Sequence, residues 1–511
     1  MSRVSTCSLA LAFALWAVVA AQGERVPRIW DDGALRDWST PIAALNVRPA
    51  HYSAAEYYAA PAVNLRTYPV YHPDSEPAGY WEWLQKQKPE PLVDATRMRT
   101  NADWIEAGER AFLEMDAVLM RTADPALIAH AREPRAFDGM FKSADGTAFG
   151  VRWVVTDRGL MLTTQACGAC HVTIHPDNRV TVPGPRGTRR AERGRQAGVR
   201  GLPFTGPAGT ARRLQMFYTD DSPGVGLWRE FTTPWAPDER VERLATMTLE
   251  ELQQRSGADR LAPSFSNGVF ARANGSPFAA TKIPDLMNLR YNRYLDATGT
   301  HRLRGPEDIA RYAALVTGAD PMEFGAHRIL TAAQRHVRFR YADEVLYAIG
   351  MYLMSIEPPS NPDVAPAEVL ARGEQIFRRE GCVNCHVPPN YTNGKLTLAE
   401  GFRPPANHPN RDDIVAQTVG TDSDGALKTR KGTGFYKIPS LRGVWYRRSL
   451  LHDGSVTSLE ELFDPARLAA DYQSTGWNPP GVTMRSIKGH TFGLSLAAAE
   501  KNALLMFLRS L

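Results

Sequence analysis

The segments Cys167-Gly168-Ala169-Cys170-His171 and Cys382-Val383-Asn384-Cys385-His386 constrain this 511-residue chain more than any other feature. Both read C-x-x-C-H. Two thiols about one helical turn apart can each form a thioether to a flat macrocycle, and the histidine that follows then lies under the ring, where it can ligate iron. This is the pattern of covalent c-type haem attachment. A thioredoxin-like pair would want a βαβ context, and none is visible. A zinc site would use the four cysteines and leave both histidines unexplained. The expectation is therefore two haem c groups held by Cys167, Cys170, Cys382 and Cys385, with His171 and His386 as proximal iron ligands. Calcium is compatible with the sequence but unsupported by any pattern in it.

The N-terminus agrees with attachment outside the cytoplasm. Arg3 precedes an apolar run over residues 9–19 that closes on Val19-Ala20-Ala21, which reads as a secretory signal over residues 1–21. The run is short for a bilayer, and no later segment reaches spanning length without charges. A periplasmic or secreted protein with no transmembrane segment after signal removal is expected. Cys7, the fifth cysteine, would leave with the signal. With 60 basic and 55 acidic residues, net +5, the charge is too balanced to argue for nucleic acid.

The frame around each motif repeats. Helical patterns with G-E-x-x-F in the same phase precede both, ending at Phe112 and Phe377. Downstream, Lys282-Ile283-Pro284-Asp285-Leu286 matches Lys437-Ile438-Pro439-Ser440-Leu441 at a spacing of 155 residues, and residues 348–356 match residues 503–511 at the same spacing. Two concordant spacings read as an internal duplication. The first unit carries about fifty extra residues between its leading helix and its motif, where Gly150-Val151-Arg152-Trp153-Val154-Val155 alternates like a hairpin strand. The basic Gly/Pro stretch 186–200 reads as a surface loop, and Pro358-Pro359-Ser360-Asn361-Pro362 as a linker. The predicted fold is mainly α, with two cytochrome c-like haem domains at 102–357 and 364–511, an irregular N-terminal extension at 22–101 and a possible small β insert in the first domain.

The two motifs, the paired I-P-x-L segments and Leu451-His452-Asp453-Gly454-Ser455-Val456-Thr457-Ser458-Leu459-Glu460-Glu461 together resemble the bacterial diheme cytochrome c peroxidase superfamily over roughly residues 102–511. The long first-unit insert and wide motif spacing look more like its rubber-oxygenase branch. The resemblance implies an oxidoreductase in which the first haem reacts with peroxide or O₂ and the second relays electrons. The implied partners are a small redox protein or quinone-linked donor and a small-molecule substrate. Asp320-Pro321-Met322-Glu323-Phe324-Gly325 resembles the family's N-P-x-E-M-G segment, which implies a catalytic acid–base role for Glu323. The sequence departs from the family at Ala313, where a glutamine is expected, and at residues 295–300.

The resemblance also implies a sixth ligand for the second iron. The methionine usual after H-D-G is absent, leaving His490 or Met484. His490 is preferred, because a late histidine just before the terminal helix resembles the rubber-oxygenase branch. His301 and His336 are read as structural or surface residues, and Trp445 as a candidate electron relay. A pure electron carrier and a dioxygenase are the alternative functions.

Overall fold

A computed structural model describes residues 26–137, 141–175, 177–182, 268–271, 280–363, 365–479 and 482–511, together with residues 235, 239, 248, 250 and 251. The expected signal segment and the basic stretch 186–200 lie outside the described residues.

Five helices carry the framework: α1 (Asn101–Glu114), α2 (Pro306–Val316), α3 (Asp343–Ser355), α4 (Ala367–Arg379) and α5 (Ala498–Ser510). Helix α1 starts in a capping box. The Thr100 hydroxyl accepts the Asp103 N–H, and the Asp103 carboxylate accepts the Thr100 N–H, satisfying two amides that the first turn would otherwise leave open. Its buried stripe, Trp104, Ala107, Gly108, Ala111 and Phe112, follows the helical repeat and packs on α3. In the second unit α4 packs on α5.

The two crossings are built alike. A Cβ on Gly108 would lie 1.9 Å from the Ala348 carbonyl oxygen and 2.7 Å from Tyr352 Cβ; one on Gly373 would lie 2.3 Å from the Ala503 oxygen and 2.5 Å from Phe507 Cβ. Ala348 and Ala503 are 155 residues apart, as are Tyr352 and Phe507. Each glycine is needed because the partner's backbone occupies the space a side chain would take.

The mainly helical expectation requires correction. Small sheets share the described fold with the helices. Strands β1 (Thr67–Tyr71), β2 (Thr147–Thr156) and β3 (Gly159–Thr164) form an antiparallel sheet in the order β1-β2-β3, with Tyr68 opposite Trp153 and Thr156 opposite Gly159. The hairpin is the alternating insert. Its edge partner β1 comes from the N-terminal extension, so the extension is not simply irregular. The extension also enters the core: Trp30 and Trp38 are fully buried, and their indoles donate to the carbonyls of Tyr52 and Arg302. In the second unit β4 (Leu396–Leu398) runs between β5 (Ile414–Thr418), parallel to it, and β6 (Phe435–Lys437), antiparallel. Aromatic and β-branched runs pair locally here because such side chains fit a half-buried pleated surface.

The units meet reciprocally. The Lys282 N–H donates to the His452 carbonyl at 2.7 Å, and the Lys437 N–H to the Ala297 carbonyl at 2.8 Å. Donors and acceptors alike are separated by 155 residues, so the contact has pseudo-two-fold symmetry. Among the described residues no helix is long and apolar enough to cross a membrane.

Candidate functional site

Each C-x-x-C-H motif begins in a single 3₁₀ turn, Cys167–Ala169 and Cys382–Asn384. The histidine N–H closes each turn onto the first cysteine's carbonyl, at 3.2 Å for His171 and 2.9 Å for His386. Thiols and imidazole are thereby presented together. None of the four cysteines is in a disulfide. Burial pushes Cys167 up to about 12 and Cys382 up to about 11, the opposite of the depressed thiol that redox exchange requires.

Both imidazoles are oriented by backbone. His171 Nδ1 lies 3.0 Å from the Pro284 carbonyl. His386 Nδ1 lies 3.1 Å from the Tyr391 carbonyl, and the Pro439 carbonyl also bonds this ring. Pro284 and Pro439 are equivalent prolines of the repeated I-P-x-L segments. A ring whose Nδ1–H is held by a carbonyl offers Nε2 as a ligand with fixed orientation. Burial lowers His171, and burial followed by His490 lowers His386 to about 4, so both rings stand neutral, as ligation requires.

A cavity of about 270 Å³ adjoins the second motif, with Cys382, Cys385, His386, His490 and His452 in its lining. Its walls are largely apolar, including Phe377, Leu441, Val444, Leu459, Phe463 and Leu508. A partly open, largely apolar slot with a histidine offered from the motif and a second from a separate loop fits a flat metallo-macrocycle. His490 Nδ1 is buried without a hydrogen-bond partner in the described structure, and burial lowers this ring to about 4 as well. Met484, the alternative ligand, is 55% exposed and does not line the cavity.

The loop bearing His490 is held from behind. His490 itself has φ +49°, sparsely populated for a non-glycine residue. The Arg467 guanidinium, 0% exposed, donates to the carbonyls of Leu462 (2.8 Å), Ile487 (2.5 Å), Gly489 (2.7 Å) and His490 (2.9 Å). Nothing in the spacing of the chain singled out Arg467.

The other expected residues are dispersed. Glu323 lies in a short strand, Glu323–Phe324, ion-paired with Arg335 and Arg328. Asp320, which stands where the resembled family has asparagine, bonds Arg430 and Lys431, each at 2.7 Å. Burial alone would raise its carboxyl, but Lys431 and Arg430 outweigh that and hold it far below the usual carboxylate range. His301 is 1% exposed, 4.2 Å from Trp38 between ring centroids, with Nδ1 2.9 Å from the Thr300 hydroxyl. His336 is exposed. The Trp445 indole donates to the Pro359 carbonyl at 3.2 Å, in the segment joining the units.

Sequence reasoning also missed the cations of the cavity. Lys282, Lys437 and Arg447 line it. Arg447 bonds the Asp285 carboxylate at 2.6 Å and the Ser440 carbonyl at 2.7 Å. Burial lowers Lys282 to about 8 against the opposing pull of Asp285, and lowers Lys437 too. The signal was present in the repeated K-I-P segments, but the repeat alone does not say which way the lysines face.

No protein-family profile and no curated protein matches the sequence. Among solved structures, a hydrazine synthase from Kuenenia stuttgartiensis aligns at 14% identity over 65% of this chain and 99% of that one, with a TM-score of 0.28. A MauG-like protein associated with microbial copper homeostasis aligns at 19% identity over 58% and 88%, with a TM-score of 0.28. The diheme peroxidase BthA from Burkholderia thailandensis aligns at 17% identity over 64% and 90%, with a TM-score of 0.26.

Proposed function

We propose that the chain is an exported diheme c-type oxidoreductase. One haem is attached through Cys167 and Cys170 with His171 as iron ligand, and the other through Cys382 and Cys385 with His386 and His490. The observation that carries this reading is the second-motif cavity, where two thiols and two neutral imidazoles from separate segments line one largely apolar space. Bound iron porphyrin supplies one-electron transfer when both axial positions are filled, and binding of peroxide or O₂ when one is open.

The chain's own residues divide the work on this reading. His490, positioned by Arg467, closes the second site and commits it to electron relay. The equivalent first-unit position is Arg335, which cannot ligate iron, so the first site is the reactive one. Glu323, beside Arg335, is the carboxylate we assign to proton handling there. Peroxide, O₂ or a small organic molecule is the substrate class, and a small redox protein or quinone-linked carrier the donor.

Optical spectra of the oxidised and reduced protein, with and without peroxide and O₂, test this. One low-spin and one high-spin haem, the latter alone perturbed by oxidant, is the expected result. Two low-spin haems inert to both oxidants would replace the enzyme with an electron carrier.

A further inference from the structure

The cavity lining repeats about the pseudo-two-fold contact. Lys282 and Lys437, Asp285 and Ser440, Asn292 and Arg447, and Ala297 and His452 all line it, and each pair is separated by 155 residues. The backbones of the two lysines are locked by the reciprocal bonds to His452 and Ala297. Their side chains are a different matter. Among the described residues neither ammonium has a hydrogen-bond or ion-pair partner, whereas Arg447 is matched by Asp285 at 2.6 Å. Both lysines line the cavity and are half-buried. Asp285 acts on Lys282, and Asp296 and Asp285 act on Lys437, only through space, so neither ammonium is closed by a direct contact while both lysines line one cavity. A ligand carboxylate would supply that contact.

We infer that Lys282 and Lys437 form a paired anion site for two carboxylates of one ligand. Resting on the haem reading above, that ligand is the macrocycle of the second motif, whose two propionates match the two ammoniums. Leu441, Val444 and Phe463, which line the cavity, would hold its apolar body, and the two lysines would hold its acidic edge. The cysteines fix one edge of the ring covalently, and the lysines fix the acidic edge by charge. A free dicarboxylate would satisfy the same pair chemically, so the test separates the two.

The experiment uses the full, haem-loaded protein and its Lys282→Gln, Lys437→Gln, Lys282→Arg and Lys437→Arg variants, with Lys428→Gln as an exposed control. The number of haems is read by mass and the midpoint potential of each haem by spectroelectrochemistry. A cation beside a propionate favours the reduced, more negative haem. Each Gln variant should therefore shift the reduction equilibrium of one haem by up to about tenfold toward the oxidised form, about 59 mV for a one-electron couple. The Arg variants and Lys428→Gln should keep wild-type potentials. If a Gln variant does not accumulate loaded protein while its Arg counterpart does, the requirement for charge stands; loss with both would make the lysine merely structural and overturn the inference. Unchanged potentials in protein carrying two haems would also overturn it, leaving the diheme reading intact, whereas wild-type protein lacking the second haem would remove that reading itself. Succinate titrated into loaded wild-type protein should not bind; lysine-dependent succinate binding would assign the pair to a free substrate instead.

Discussion

Lys282 and Lys437 each give their backbone N–H to a carbonyl of the other unit, His452 at 2.7 Å and Ala297 at 2.8 Å. The repeated segments that look independent along the chain thus dock through equivalent atoms. The same exchange brings the first unit's I-P-x-L segment into the lining of the second motif's cavity, while the Pro284 carbonyl of that segment holds His171. One short stretch of chain therefore touches both candidate sites.

The helix crossings predict the sign of a glycine substitution. Alanine normally favours a helix over glycine by about 0.8–1 kcal/mol. At Gly108 and Gly373 the new methyl would press into the carbonyls of Ala348 and Ala503, and overpacking of this kind costs about 1–3 kcal/mol. Gly108→Ala and Gly373→Ala should both lower stability in denaturant unfolding, whereas Gly79→Ala, with nothing within 4 Å of its added methyl but a φ of +76°, should show only the smaller strain of that backbone conformation.

His490→Ala should convert one low-spin haem to high spin, and Met484→Leu should leave the spectrum unchanged, since Met484 is 55% exposed. Arg467→Met should do both kinds of damage. It leaves buried carbonyls unsatisfied, each costing about 1–3 kcal/mol, and it releases the loop that presents His490, giving a mixed-spin spectrum. A variant destabilised but spectrally identical to wild type would show that Arg467 does not position His490.

Glu323→Gln tests proton handling at the first site. If Glu323 carries the proton, turnover with peroxide and a reduced donor should fall about 10²–10⁴-fold while both haems stay loaded. Full activity would make Glu323 an ion-pair partner of Arg335 and Arg328 and nothing more.

Asp320 predicts an acid dependence. Its folded carboxyl lies far below the unfolded value of about 3.9, because Lys431 and Arg430 outweigh the opposing effect of burial. A depressed carboxyl contributes stability that is present above the unfolded value and is lost as pH falls through the folded one. Asp320→Asn should cost about 3–5 kcal/mol at neutral pH, because it leaves two cations uncompensated. That gap should narrow progressively below about pH 4, where the carboxyl of the unfolded chain takes up a proton while the folded one stays ionised. A pH-independent gap would mean that Asp320 acts through shape alone.

The parts of this molecule legible in the sequence are those written in local spacing. C-x-x-C-H, the helical stripe ending at Phe112, and the alternation at residues 150–155 each describe neighbours within a turn or a strand. The spacing of 155 residues matched the terminal helices of the two units, and G-E-x-x-F matched their leading helices, 265 residues apart; periodicity gave the helices and not their crossing. What was not legible depends on contacts between distant segments. Nothing near Arg467 tells that it will hold four carbonyls, and nothing near Asp320 announces Arg430 and Lys431, 110 and 111 residues further on. Strand β1 was hidden because its pairing with β2 joins segments about eighty residues apart, and its short run in a Pro- and Tyr-rich stretch gave no alternation to read.

Intact mass of the mature, exported protein tests the central claim most directly, read beside the Cys167→Ser/Cys170→Ser and Cys382→Ser/Cys385→Ser double variants. Two covalently bound haems in the wild type and one in each double variant is the predicted result. A wild-type mass with one haem or none, or a cysteine pair whose replacement leaves the haem count unchanged, would contradict it.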